Sequence, residues 1–172
     1  MELGLTWPLQ RFLKEKPFLG MQQPDPFCWD LHRIILRGRD CLLLVHSLTR
    51  FTCLRYDVTW LEWENLFDIV REEIALGFAE AGIPEQVQAA YFQAAGALSF
   101  TRTHGRRPVA YLNRAWEDVL KAEPLLIPEP GHQGLLCRMV NGMTTRAAAY
   151  SVPGHPIVFL QDCLGAAWKG EA

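Results

Sequence analysis

The stretch FCWDLHRIILRGRDCLLLVHSLTRFTCLRY, running from Phe27 to Tyr56, decides the fold. Its first part alternates. Trp29, Leu31, Arg33 and Ile35 fall on one side of an extended chain, and Asp30, His32, Ile34 and Leu36 on the other. That is the period-2 pattern of a strand. Gly38, with Arg37, Arg39 and Asp40, marks a tight turn. Cys41 to Val45 is apolar at every position, which predicts a central strand covered on both faces. Ser47 to Thr49 is a second short turn, and Phe51 to Tyr56 is β-branched and aromatic enough for a third strand. Together these read as a three-stranded antiparallel meander.

Working outward, Thr59 opens a long helix. Thr59 and Glu62 have capping-box spacing, so each can satisfy an otherwise open backbone N–H. Trp60, Trp63, Phe67, Val70, Ile74 and Phe78 recur at helical steps as one apolar stripe. Gly82 suits a left-handed stop, and Pro84 suits the first turn of a shorter helix that ends at Gly96. Leu98 to Thr103 alternates as a strand, with Leu98 and Phe100 on one side and Ser99, Thr101 and Thr103 on the other. Pro108 starts a further helix carrying Leu112, Trp116, Val119 and Leu120. On the N-terminal side, Leu9 to Lys16 predicts a short helix, after which Pro17, Pro24 and Pro26 break the chain into a loop. The expected fold class is α+β: an antiparallel meander packed with a long amphipathic helix and two shorter ones. Residues 1–122 form this domain. Pro124, Pro128, Pro130 and Gly131 open a stiff linker, so 123–172 is expected to be an extension that packs back. Within it, Gln133 to Val140 fits helix or strand, Ile157 to Leu160 reads as a short strand, and Asp162 to Trp168 as a helical turn or two.

Composition narrows the function. The 172 residues hold 17 Lys plus Arg against 19 Asp plus Glu, with 49% hydrophobic and 21% charged residues. This excludes a disordered chain. The longest apolar run, Cys41 to Val45, is far short of a membrane span. A net charge of -2 gives no bulk attraction to nucleic acid or anionic lipid, so any such attraction is local. Cys28, Cys41, Cys53, Cys137 and Cys163 are odd in number, widely spread and free of C-x-x-C pairing, as expected of buried thiols in a reducing cytoplasm. The N-terminus lacks the basic start and apolar core of a secretion signal.

Two local motifs carry a resemblance. One is Trp29-Asp30-Leu31-His32-Arg33-Ile34 running into Asp40-Cys41-Leu42-Leu43-Leu44-Val45-His46. The other is Phe100-Thr101-Arg102-Thr103-His104-Gly105-Arg106-Arg107, followed by Asn113. The chain resembles a family of uncharacterised bacterial domains of unknown function. Its pattern is a W-x-A-N-L strand and, later, a T-x-x-R-S turn entering a helix that carries an Asn. Trp29, Thr103, Arg106 and Asn113 fit that pattern, and the resemblance spans residues 3–122. It implies a shared fold and a cytoplasmic location, and supplies no reaction.

The basic turn is the leading candidate site. Arg102, His104, Arg106 and Arg107 fall within six residues, directly before a helix start. Cations there oppose the helix dipole unless an anion joins them. Thr101 and Thr103 offer hydroxyls beside them, while Glu117 and Asp118 offer internal partners. Trp29 and His32 complete the predicted ligand-binding set, Trp29 from a strand start that can line a pocket. Cys28, Asp30 and His32 share a strand face, and with His46 they give metal-competent residues, but in no established ligand spacing, so neither metal nor cofactor is predicted. A nucleophile–base pair of Cys137 or Ser151 with His132 or His155 has no local signature. Glu62, Glu64, Asp68, Glu72 and Glu73 form an acidic helix face with few i,i+4 basic partners, open to a basic protein partner. The expected function is a binding or regulatory module whose basic turn contacts an anionic ligand, nucleic acid or an acidic protein. One alternative is a small enzyme on a phosphorylated or nucleic-acid substrate, with the arginines stabilising charge and His32 or His104 as acid–base; it requires Trp29, His32 and the basic turn in one cleft. Another is a phage or mobile-element inhibitor whose acidic face mimics nucleic acid. Enzymatic function is disfavoured because no activated nucleophile or metal signature accompanies the arginines.

Overall fold

The predicted meander forms where its alternation requires. In the computed structural model, which describes residues 1–20 and 26–168, β2 spans Cys28–Leu36, β3 Arg39–His46 and β4 Thr52–Tyr56. The pairs β2–β3 and β3–β4 are antiparallel. Arg37 and Gly38 both take positive φ, 47° and 76°, the twist a two-residue hairpin needs. Pro24, part of the predicted loop, lies outside the described residues.

The meander is the middle of a larger sheet. A strand unmarked in the sequence reading, β1 (Glu2–Leu5), pairs in parallel with β2 on one side and with β5 (Ser99–Arg102) on the other. A two-residue β6 (Gly131–His132) closes the far edge, giving the six-stranded order β5-β1-β2-β3-β4-β6. The sheet is therefore mixed, as parallel neighbours joined by helical crossovers require.

Helices cover both faces. Leu42 and Leu44 of β3 face one core with Leu3, Leu5, Trp29, Leu31 and Cys53. Helices α1 (Trp7–Leu13), α2 (Trp60–Glu64), α3 (Leu66–Glu80), α4 (Glu85–Ala95) and α7 (Pro156–Trp168) lie on that side. Cys41, Leu43 and Val45 face the second core with Ile34, Leu36 and Leu54, beneath α5 (Arg106–Ala122) and α6 (Gly134–Asn141). The central strand is thus apolar on both sides because both sides are covered.

Some local signals act as read. The Thr59–Glu62 capping box is present, Gly82 stops α3 at φ 72°, and Gly96 stops α4 at φ 62°. Others yield to packing. The predicted long helix breaks at Asn65, which ends α2 and begins α3. The apolar stripe divides there: Trp63, Val70, Ile74 and Phe78 are buried, whereas Trp60 is 63% and Phe67 40% exposed. Ile157 to Leu160 is helix, not strand, because Leu160 and Leu164 dock one turn apart on the first core. Gln133 to Val140 resolves to α6, which buries Leu136, Cys137 and Val140.

The acidic face is less solvated than its sequence suggests. Glu73 is fully buried and receives Arg55 at 3.0 Å and His132 at 2.7 Å. Arg55 also reaches Glu62 and Glu72, and His132 reaches Glu80. The basic partners come from β4 and β6, not from i,i+4 positions. None of the cysteines is disulfide-bonded, and Cys28, Cys41, Cys53 and Cys137 are buried. Among the described residues, no helix is long and apolar enough to cross a membrane.

Candidate functional site

Register sets the first constellation. Glu2 stands opposite Cys28, and Gly4 opposite Asp30 on one side and Thr101 on the other. Alternation puts the side chains of Glu2, Cys28, Asp30 and Thr101 on the sheet face that α5 partly covers. His104, just beyond β5, folds back over Gly4. A Cβ at Gly4 would stand 2.3 Å from Asp30 Oδ1 and 2.9 Å from His104 Nδ1, so only glycine leaves room for the imidazole.

The result is a buried polar network. His104 Nδ1 meets Asp30 Oδ1 at 3.2 Å, and Nε2 meets Glu2 Oε2 at 3.2 Å. The His104 backbone N–H donates to Asp30 Oδ1 at 3.1 Å, and Ser47 Oγ donates to Asp30 Oδ2 at 2.7 Å. The Cys28 side chain also bonds the ring. Burial by itself lowers the affinity of His104 for a proton, but Asp30 and then Cys28 outweigh it and hold the pKa at about 10. Asp30 thus holds a proton on Nδ1 of His104, and Nε2, facing Glu2, is the nitrogen whose proton a cation can replace.

The second constellation is open. Helix α1 presents Trp7 and Arg11, and the chain leaving it presents Lys14 and Lys16. With Arg102 at the end of β5 they line a cleft of about 440 Å³, together with Gln10, Glu15 and Pro17. Trp7 is 65% exposed, and the Arg11 guanidinium sits 4.8 Å from its ring centre. The sequence reading found Arg102 but not its companions, because α1 lies nearly ninety positions away along the chain. Only the β1–β5 pairing brings the two segments together.

The predicted site residues fall into separate places. Arg102, Arg106 and Arg107 are exposed. Arg106 and Arg107 have no ion pair among the described residues, since Glu117 takes Arg114 and Asp118 takes Arg50 and Lys121. Helix α5 follows Gly105 at its N-cap position, without a side-chain cap or an acidic residue in its first turn. Thr103 is half-buried, and Asn113 is exposed on α5. His104 lies inside the network above, its side chain fully buried. Trp29 also lies away from the surface. It is fully buried on the opposite face of β2, where Nε1 donates to Tyr91 at 2.9 Å and the ring packs on Phe78 and His46. His32 is half-buried, with Nδ1 2.8 Å from Thr6 Oγ1, and burial lowers its pKa. Trp29, His32 and the basic turn thus do not line one cleft.

His46 shares the Trp29 face, bonded to Thr49 at 2.7 Å and to the Pro26 carbonyl at 3.0 Å, so Cys28, Asp30, His32 and His46 do not converge. The cluster that does converge is Glu2, Cys28 and His104, whose ligand atoms lie within 4.8 Å of one another. Sequence reasoning missed Glu2 because nothing local marks residues 2–5 as a strand. Cys137 is buried, Ser151 and His155 are exposed, and His132 is held by Glu73 and Glu80, so no nucleophile–base pair forms among them.

Fold and site together define a mixed-sheet α+β domain with a buried histidine–carboxylate network beside a basic, aromatic surface cleft. A family model described as a domain of unknown function, DUF6933, matches residues 2–145, and the chain belongs to that family. The matched span takes in all six strands and runs past α6. Comparison with curated proteins and with solved structures finds no match.

Proposed function

We propose that this protein is a binding module for a phosphate-bearing ligand, best matched by single-stranded nucleic acid, held at the cleft between α1 and the end of β5. The observation that carries this reading is the grouping of Arg11, Lys14, Lys16 and Arg102 around the exposed ring of Trp7. In a chain of net charge -2, such a group is a local field and not an overall one. Cations that track a backbone, with an aromatic face on which a base can stack, are the two elements of sequence-tolerant single-strand binding. Arg106 and Arg107, exposed at the uncapped start of α5, add cations that form no ion pair among the described residues.

The test is fluorescence anisotropy of a labelled oligonucleotide against salt. Neutralising a phosphate on single strands contributes a slope of about 0.7, so engaging these side chains gives a slope of about -3. Lys14→Ala with Arg102→Ala reduces its magnitude by about 1.4. Trp7→Ala weakens binding by about 1–3 kcal/mol while leaving the slope unchanged. Salt-independent binding, or binding insensitive to these three substitutions, overturns the proposal.

A further inference from the structure

The buried network next to the cleft has a separate chemistry. Glu2, Cys28 and His104 come from three segments, yet they present a carboxylate oxygen, a thiol sulfur and a ring nitrogen within 4.8 Å of one another. The 3.2 Å between Glu2 Oε2 and His104 Nε2 is close to the edge of a tetrahedron built on bonds of about 2.0–2.1 Å, the lengths zinc makes to oxygen and nitrogen. The other ring nitrogen meets the carboxylate of Asp30, which is itself fixed by Ser47 Oγ and by the His104 backbone N–H. A carboxylate behind a histidine is the outer-shell support that orients a ligating imidazole.

A fourth position is available. The Thr101 Oγ1 is buried and has no hydrogen-bond partner among the described residues. It borders the same point beside Gly20 as the Glu2 carboxylate: a Cβ on Gly20 would lie 2.8 Å from Glu2 Oε2 and 2.9 Å from Thr101 Oγ1. An unpartnered buried hydroxyl costs roughly 1–3 kcal/mol, and a water on a metal at that point would satisfy it. Glu2 keeps a quarter of its side chain exposed, which provides an entry path.

We infer that Glu2, Cys28 and His104 form a binding site for one zinc-class divalent cation, with Asp30 positioning His104 and a water beside Thr101 in the fourth place. Mixed sulfur, nitrogen and oxygen donors in a four-coordinate site select zinc or cobalt over magnesium or calcium. This inference is independent of the cleft.

The full chain, stripped with chelator and dialysed, is titrated with cobalt(II) alone and then with zinc. The expected result is one equivalent of cobalt with the visible spectrum of a tetrahedral site and a thiolate charge-transfer band, both displaced by zinc. Cys28→Ser removes the charge-transfer band, Glu2→Gln weakens uptake, and Asp30→Asn, which keeps a hydrogen-bonding oxygen, weakens it by about 10–100-fold. Circular dichroism identifies any variant that fails to fold, and the unmodified chain decides the matter in that case. No cobalt uptake by the unmodified chain overturns the inference. So does uptake that folded Cys28→Ser and Glu2→Gln chains retain in full, because the metal then sits elsewhere.

Discussion

Gly4→Ala tests the packing that places His104. The new Cβ would stand 2.3 Å from Asp30 Oδ1, 2.9 Å from His104 Nδ1 and 3.0 Å from His104 Cε1. Neither neighbour can withdraw cheaply. Asp30 is 1% exposed and held by Ser47 and by the His104 backbone, and the His104 side chain is fully buried. Alanine in place of glycine within a strand is intrinsically favourable by about 0.5–1 kcal/mol. Against this, overpacking a filled site costs about 1–3 kcal/mol. Displacing the ring also weakens a charge-assisted hydrogen bond worth about 1.5–3 kcal/mol. The net expectation is a loss of about 2–4 kcal/mol, a large part of the roughly 5–15 kcal/mol that holds a domain folded. For a chain of this size that lowers Tm by about 5–15 °C. Urea unfolding at neutral pH, followed by tryptophan fluorescence, reads it. Gly165→Ala is the control: nothing lies within 4 Å of its would-be Cβ, and a helix gains up to about 1 kcal/mol from the exchange. If Gly4→Ala is as stable as the unmodified chain, His104 does not sit over Gly4, and the account of the network fails.

Gly77→Ala separates propensity from packing, because its Cβ would stand 2.5 Å from Cys53 Sγ and 3.1 Å from Phe51 Cε1; chemical denaturation should show it less stable despite the helical gain. Arg50 and Asp118 form a buried ion pair that joins the turn after β3 to α5. Arg50→Ala should cost about 2–4 kcal/mol by urea titration, below the full penalty for a broken buried pair because Asp118 keeps Lys121 at 2.7 Å. His132 is pushed down by burial but raised overall, above its ordinary 6.5, by Glu73 and then Glu80. The stability from this raised pKa is therefore full below about pH 6.5 and is lost as pH rises through the folded-state value. A His132→Gln chain should fall further below the unmodified one at about pH 6 than at about pH 9, and an equal gap at both pH values would contradict the pairing.

The parts of the fold that were legible in the sequence are those whose signals are local. Residue alternation in Trp29 to Leu36, the unbroken apolar run Cys41 to Val45, the Thr59–Glu62 cap and the stops at Gly82 and Gly96 each depend on neighbours a few positions away. The α+β class follows from them, and so does the burial of most cysteines. At the site the sequence singled out Arg102, His104, Arg106 and Arg107, because like charges crowd before a helix start.

What the sequence left open depends on partners far along the chain. Residues 2–5 are too short to announce a strand, and they become one because β2 and β5 offer edges on both sides. That single insertion sorts the basic turn into two roles. It draws His104 inward over Gly4 to Asp30 and Glu2, and it sets Arg102 beside Arg11, Lys14, Lys16 and Trp7. It also leaves Trp29 on the opposite face, in the core. Periodicity fixes which residues share a face of one segment, whereas the order of strands in the sheet fixes which segments share that face. The first is a property of neighbouring residues, and the second exists only once the chain has folded.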